Sequence, residues 1–196
     1  VKSNSIVGGF TIPGLAGDLL CYNASGFCAA ASNVTITENN FSNVTATGYG
    51  TGSFEGITQN DISPAPYAHV EIYNNVISNI YYNGGRFTGI YARYLGEGSV
   101  ASRSAIYSNT ITNIDAWGTT TGINLVPNNS PNYRTACFNN TITDMTAREH
   151  GDQIFGAFIQ CQGTSVDFYA NKITNIIHTG TITSKAMGLK ILSGTD

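Results

Sequence analysis

The sequence of 196 residues is poor in charge, and this scarcity excludes several classes of protein. Only 11% of the residues are Asp, Glu, Lys or Arg, and the formal net charge is −3. The Lys and Arg residues are scattered and form no basic patch, so no nucleic-acid partner is predicted. No apolar run reaches about 18 residues, so no membrane span is predicted. No secretory signal peptide is recognisable either.

Helical periodicity is also missing. No window has sustained apolar spacing at i, i+3, i+4 and i+7, which disfavours helical repeats. Short runs of Ile, Val, Thr, Tyr and Phe are instead broken by Asn, Gly and Ser, a pattern typical of strands and turns. The sequence therefore predicts an all-β protein.

Metal-binding motifs are absent from the sequence. No Cys-x-x-Cys pair and no His cluster indicates a zinc site, although the chain contains four cysteines and three histidines. No cofactor and no metal are predicted.

A nine-residue phrase recurs five times along the chain. The copies are ITENNFSNV (36–44), IYNNVISNI (72–80), IYSNTITNI (106–114), CFNNTITDM (137–145) and FYANKITNI (168–176). A second phrase recurs in phase with the first, as FEGI (54–57), FTGI (87–90), TTGI (120–123), IFGA (154–157) and AMGL (186–189). Units of 31 to 36 residues indicate a solenoid or a propeller. Because the units are short and lack a propeller signature, a coil of two or three strands per turn is predicted.

Equivalent residues of successive turns stack about 4.8 Å apart in such a coil. Three columns of equivalent residues are entirely apolar, as an interior must be. They are Ile36, Ile72, Ile106, Cys137 and Phe168; Phe41, Ile77, Ile111, Ile142 and Ile173; and Val44, Ile80, Ile114, Met145 and Ile176.

Two further columns consist of Asn, which is unusual in strands. They are Asn39, Asn75, Asn109, Asn140 and Asn171, and then Asn43, Asn79, Asn113, Asp144 and Asn175. Asn favours bends, where its amide can bond to backbone groups and to the Asn of the next turn. We expect a structural role for both columns.

These Asn-x-Ile-x-Asn-Ile phrases, each followed by a Gly-Ile strand, resemble the repeats of the pectin-lyase-like superfamily from about residue 34 to residue 192. The resemblance implies a right-handed parallel β-helix (β-solenoid) of about five coils. It also implies an extracellular setting, shared by pectate lyases, polygalacturonases, alginate-modifying enzymes, phage tailspikes, adhesins and structural solenoids. Fold alone does not choose among these activities. We expect one structural domain, with a leader and partial first coil over 1–33 and the parallel β-helix over 34–196.

Composition favours an extracellular location or a cell or virion surface, because charge is low and Thr, Ser, Asn and Gly are abundant. Two disulfides are considered, Cys21 with Cys28 and Cys137 with Cys161. The alternative is reduced, buried thiols that act as small hydrophobes. Candidate glycosylation sites occur in Asn-x-Ser/Thr triplets at Asn23, Asn33, Asn40, Asn43, Asn128 and Asn139.

Candidate catalytic residues are few. The densest charged segment is DMTAREHGDQ, with Asp144, Arg148, Glu149, His150 and Asp152 predicted to crowd one inter-strand loop. The paired-Asp and Gly-His-Gly pattern of polygalacturonases and the Arg motif of pectate lyases are both missing. Arg148, His150 and Asp152 are the candidates for acid–base chemistry on a polysaccharide, and a solvated turn is the alternative.

A row of aromatic residues follows one position after the first apolar column. It consists of Thr37, Tyr73, Tyr107, Phe138 and Tyr169. Strand alternation predicts that this row points outward, where rings at strand spacing offer a strip for sugar rings or for another protein. Alternatively, a loop or a neighbouring subunit covers it.

The two ends of the coil complete the hypothesis. The last coil, SKAMGLKILSGTD, has no segment left to cover it, so either the chain is a piece of a longer one or open ends recruit partners. We expect a structural or adhesive solenoid that forms a homo-oligomer or polymer. The rivals are a polysaccharide-degrading enzyme and a carbohydrate-binding module.

Overall fold

The computed structural model describes residues 2–6, 10–13, 18–26, 33–61, 69–95, 103–127, 134–148, 153–161, 165–180 and 184–193. Every regular element in these ranges is a β-strand, which confirms the all-β prediction. The strands form three parallel sheets wound as a β-solenoid of about four turns. The sequence predicted about five coils. Five copies of the repeated phrase enclose only four complete intervals, and this accounts for the difference.

Each full turn contributes one strand to each sheet. Sheet A contains β4 (Asn33–Thr37), β7 (His69–Tyr73), β10 (Ser104–Tyr107), β13 (Arg134–Phe138) and β16 (Ser165–Tyr169). Sheet B contains β1 (Ser5–Ile6), β2 (Phe10–Ile12), β5 (Asn40–Ala46), β8 (Val76–Tyr82), β11 (Thr110–Ala116), β14 (Thr141–Ala147) and β17 (Lys172–His178). Sheet C contains β3 (Leu19–Gly26), β6 (Ser53–Asp61), β9 (Arg86–Arg93), β12 (Thr119–Val126), β15 (Gln153–Cys161) and β18 (Lys185–Ser193).

The turns are in register, so the predicted apolar columns form. Ile72 pairs with Ile106, which pairs in turn with Cys137. In the first four copies of the phrase, the residues of all three columns are at most 2% exposed. Burial of one such Ile side chain contributes about 1.5–3 kcal/mol, and the stacked columns make one continuous core.

The corner between sheets A and B is held by a row of amides, the Asn ladder, which is buried from Asn39 to Asn140. Its members are Asn4, Asn39, Asn75, Asn109, Asn140 and Asn171. The backbone N–H and the Nδ2 of Asn75 donate to Oδ1 of Asn109 at 3.1 and 2.9 Å. Nδ2 of Asn75 also donates to the carbonyl oxygen of Ile36 at 2.9 Å. The expected bonding to backbone and to the next Asn is confirmed, and Asn4 extends the row by one turn beyond the predicted members.

A second row, the outer ladder, lies on the surface of sheet B. Its members Asn43, Asn79, Asn113, Asp144 and Asn175 are exposed and have φ between 54 and 60°. Asn and Asp tolerate this left-handed conformation better than most residues do. Nδ2 of Asn79 donates to Oδ1 of Asn43 at 3.0 Å, and Nδ2 of Asn113 donates to Oδ1 of Asn79 at 2.7 Å. The second Asn column therefore bends sheet B instead of joining two sheets.

Close contacts with the next turn explain why glycine recurs in the second repeated phrase. A Cβ placed on Gly89 would lie 2.6 Å from the carbonyl oxygen of Gly122 and 2.8 Å from Cδ1 of Ile111. Real Cβ atoms do not approach so closely. Strands β6, β9, β12 and β15 therefore require glycine at this position, where the backbone passes close to the next turn.

We predict that Asn109→Ala lowers the free energy of unfolding by roughly 3 kcal/mol, because loss of its amide leaves the buried N–H groups of Asn75 and the carbonyl oxygen of Ile72 without hydrogen bonds. Urea unfolding followed by circular dichroism measures the change. The control is Asn124→Ala, which removes a half-buried Asn that accepts a hydrogen bond from Gln160 at 3.1 Å, and it should cost about 1 kcal/mol or less. Equal losses for the two variants would contradict a dominant role for the Asn ladder.

Candidate functional site

The predicted aromatic row is in register and forms a stack, here called the aromatic ladder: Tyr73, Tyr107, Phe138 and Tyr169. The ring centroids of neighbouring turns lie 4.7, 5.0 and 5.0 Å apart. The ring planes are within 6° of parallel. Each ring is therefore packed face to face against the ring of the next turn.

This geometry changes what the aromatic ladder can bind. The inner rings cover each other's faces, so the strip presents ring edges and hydroxyl groups and not a flat aromatic surface. Tyr169, at one end, is 52% exposed and has a free ring face among the described residues. Burial, the nearby charge of Glu71 and the neighbouring Tyr73 raise the pKa of Tyr107, so its hydroxyl stays protonated.

Charged side chains flank the aromatic ladder on the outer face of sheet A. Arg103, which directly precedes β10, forms an ion pair with Asp167 of β16, and β13 lies between these two strands. Both side chains are partly exposed. Nε2 of His69 lies 3.5 Å from a carboxylate oxygen of Glu71. Such surface pairs contribute about 1 kcal/mol or less, so they add little to the stability of sheet A.

A second feature, the corner groove, lies where sheet B turns into sheet C. It is an open cleft of about 500 Å³ lined by Tyr49, Gly50, Thr51, Ser53, Asn83, Gly85, Arg86 and Trp117. Three turns of the coil meet here with connections of six, three and two residues, 47–52, 83–85 and 117–118. A Cβ on Gly118 would overlap the carbonyl oxygen of Gly85, so glycine allows the turns to approach closely.

Aromatic rings form one wall of the corner groove. Tyr49 is 71% exposed, and its ring meets Trp117 edge-on with centroids 5.3 Å apart and planes at 85°. The guanidinium of Arg148 lies over the ring of Tyr81 at 4.5 Å and over that of Trp117 at 5.7 Å. The aromatic wall is thus backed by a cation from the following turn.

Arg148 is held on several sides. Its NH1 and NH2 donate to the hydroxyl of Tyr81 at 3.0 Å and to Oδ1 of Asn83 at 2.6 Å. Its Nε lies 2.6 Å from a carboxylate oxygen of Asp115. These contacts connect three turns and occupy the guanidinium, which therefore acts as a positioning group for the corner.

Another wall of the groove includes Arg86, which forms an ion pair with Glu55, a residue that does not itself line the groove. An NH2 of Arg86 donates to Glu55 at 2.8 Å, and the hydroxyl of Thr58 donates to the other oxygen of Glu55 at 2.5 Å. The side chain of Arg86 is 52% exposed and that of Glu55 only 14%. A fixed carboxylate thus orients an accessible guanidinium toward the groove.

Of the candidate catalytic residues, Arg148 alone lies within the described residues. Arg148 is occupied by the contacts above, and His150 and Asp152, with Glu149, lie outside the described residues. Asp144 belongs to the outer ladder on β14 and not to an inter-strand loop. Its predicted place in the charged loop is wrong, because the strand continues through it to Ala147.

Neither predicted disulfide is formed. Cys21, Cys137 and Cys161 are free thiols, and Cys28 lies outside the described residues. Cys137 points into the interior, where Nδ2 of Asn140 lies 3.5 Å from its sulfur, whereas Cys161 ends β15 in another sheet. Burial raises the pKa values of Cys21 and Cys137 to about 12, so both thiols remain protonated at neutral pH.

The candidate glycosylation sites differ in accessibility. Asn23, Asn33, Asn43 and Asn139 are exposed, and Asn40 is half-buried. Asn128 lies outside the described residues. Glycosylation stays a prediction.

The described part of the chain contains no group of three or more His, Cys, Asp or Glu side chains placed to hold a metal ion. It also contains no helix long and apolar enough to cross a membrane.

No protein-family model matches the chain, and neither a curated protein nor a solved structure matches it at a significant level. The function must therefore be argued from the geometry.

Sequence reasoning missed the corner groove. Its aromatic residues Tyr49 and Trp117 lie in connections of unequal length, so they do not fall in a repeated column. A signal was nevertheless present, because GYGTG (48–52), NGGR (83–86) and WG (117–118) occupy the same place in successive repeats.

Asp144 provides a test of the outer ladder. Nδ2 of Asn175 donates to Asp144 at 2.5 Å and the hydroxyl of Thr143 donates at 3.1 Å, and these bonds lower the pKa of Asp144 from 3.8. A lowered folded-state pKa stabilises the protein above 3.8, and this contribution is lost as the pH falls through the folded-state value. The stability difference between wild type and Asp144→Asn should therefore shift against the wild type as the pH falls below 3.8. Denaturant unfolding of both proteins at neutral and acidic pH measures it, and a pH-independent difference would contradict the assignment.

Proposed function

We propose that this chain is a structural or adhesive β-solenoid that works outside the cell and associates head to tail with copies of itself. Membership of the pectin-lyase-like superfamily is part of the same proposal, supported by the three parallel sheets and the repeated Asn phrases. The observation that carries the proposal is the uniform polarity of the Asn ladder.

Each ladder member from Asn4 to Asn140 donates to Oδ1 of the next Asn, so all these bonds point toward the same end of the solenoid. Asn4 donates to Oδ1 of Asn39, and Asn140 donates to Oδ1 of Asn171. To continue the ladder beyond Asn171, its Nδ2 needs a hydrogen-bond acceptor. In the rest of the ladder, that acceptor is Oδ1 of the next Asn. A second copy with its Asn4 over Asn171 supplies that acceptor and repeats the existing geometry.

Apolar side chains surround this end of the described coils. Leu189 and Ile191 are 41% and 54% exposed, although they continue the interior columns in which Ala157 and Ile159 are at most 1% exposed. In the head-to-tail contact, β17 pairs with β1 and β2 of the second copy, and β18 pairs with β3. Edge strands with apolar neighbours favour such pairing.

The aromatic ladder fits the same contact. Lys2 forms a bridge with Thr37, so it precedes Thr37 in the column that leads to Tyr73. A copy stacked in register places its Lys2 over the exposed ring of Tyr169, which is a favourable cation–π arrangement. The contact uses different surfaces on the two copies, so repetition builds an open filament and not a closed dimer.

We predict that the wild-type chain forms filaments or large oligomers and that the double variant Leu189→Lys, Ile191→Lys is monomeric, because it places two charges in the apolar end. Analytical ultracentrifugation and negative-stain electron microscopy measure this. Thr141→Lys is the matched control, since Lys172 occupies the same position one turn later. A wild-type chain that stays monomeric at all concentrations, or a double variant that assembles normally, would contradict the proposal.

A further inference from the structure

We propose that the corner groove binds a neutral sugar ring of an oligosaccharide. The groove is separate from the ends of the solenoid and from the aromatic ladder. Its aromatic wall, its ion-pair wall and its charge balance each support the assignment.

The aromatic wall offers what the aromatic ladder does not, which is an accessible ring. Tyr49 is 71% exposed and makes its aromatic contact edge-on with Trp117, so its faces are not covered by a stacked ring. A pyranose ring carries polarised C–H bonds on its faces, and these are attracted to the negative face of an aromatic ring. Because Trp117 and Arg148 already support this wall, binding requires little ordering of side chains.

The ion-pair wall matches the rim of a sugar. A sugar hydroxyl donates one hydrogen bond and accepts others, so it fits beside a donor and an acceptor held together. Arg86 supplies N–H donors that Glu55 holds in place, and the hydroxyl of Ser53, paired with Arg86 in the neighbouring strand, supplies an acceptor at the lining. Asn83 also lines the groove, but its amide is held by Thr47 and Arg148.

The charge balance selects a neutral ligand over an acidic one. Arg86 is paired with Glu55, and Arg148 is paired with Asp115. Both guanidinium charges at the groove are therefore balanced by a carboxylate at 2.8 Å or less. A uronic acid gains no net attraction here and loses hydration when its carboxylate enters the groove.

The size of the groove agrees with this ligand. Its volume of about 500 Å³ lies within the range of about 300–1,000 Å³ that is common for small-molecule sites. The cleft is open on one side, so a sugar can bind as one residue of a longer chain.

Trp117 provides the measurement, because it is the single Trp of the chain and lies in the groove. Its fluorescence is titrated with neutral glucose hexasaccharides of β-1,3, β-1,4 and α-1,4 linkage and with trigalacturonate. We expect saturable binding of at least one neutral oligosaccharide and weaker binding of trigalacturonate. The proposal is overturned if no neutral sugar binds up to about 10 mM, or if trigalacturonate binds more tightly.

Variants of Tyr49 test the site itself. Tyr49→Ala should lower the affinity at least about tenfold, and Tyr49→Phe should retain it because the ring is kept. Tyr169→Ala is the control, since Tyr169 is an exposed Tyr of the aromatic ladder at 52%. Unchanged affinity in Tyr49→Ala, with circular dichroism showing an intact fold, overturns the proposal.

Glu55→Gln tests the charge argument. The substitution keeps the shape of the side chain but leaves Arg86 without its balancing charge, so trigalacturonate should gain affinity relative to the neutral sugars. An unaltered preference would overturn the explanation by charge balance. Sugar binding should be the same in the double variant Leu189→Lys, Ile191→Lys, so the failure of this proposal is distinguishable from the failure of self-association.

Discussion

The structure depends on parallel hydrogen bonding in register, which repeats the chain upon itself at a spacing of about 4.8 Å. At this spacing most side chains have the equivalent side chain of the next turn as a neighbour. A residue type is therefore stable in a column only if its side chain packs or bonds well against the same side chain in the next turn. Ile does so by apolar contact, and Asn does so because its amide holds both a donor and an acceptor. Asp144 illustrates the limit, because a carboxylate accepts from Asn175 but has no N–H to offer to Asn113.

Self-stacking makes regular columns poor binding surfaces. The rings of the aromatic ladder stack face to face, at centroid distances of 4.7 to 5.0 Å, so neighbouring rings cover each other's faces. The place where recognition is possible is the corner at which successive turns differ in length, since a side chain there meets a different side chain and not its own copy. Tyr49 beside Trp117 and Arg148 beside Asn83 are such unlike pairs.

The same self-complementarity connects fold and assembly. In a ladder with one donor end and one acceptor end, each added turn makes the same hydrogen bonds as the turn before it. The proposed association of copies would continue the interactions that already hold one turn to the next. The corner groove lies between sheets B and C and not at an end of the coil, so the two proposals are compatible in one molecule.

Much of this architecture was predictable from the sequence, because a repeat of fixed phase identifies which residues stack without any knowledge of the path between them. The three apolar columns, the register of the aromatic ladder and the bonding of Asn75 to Asn109 all follow from alignment of the repeats. The orientation of the stacked rings, the free thiols of Cys137 and Cys161 and the partners of Arg148 do not follow from it. These features depend on how three sheets turn through corners of unequal length. Contacts between unlike residues distant in sequence are decided only when the whole coil closes around its core.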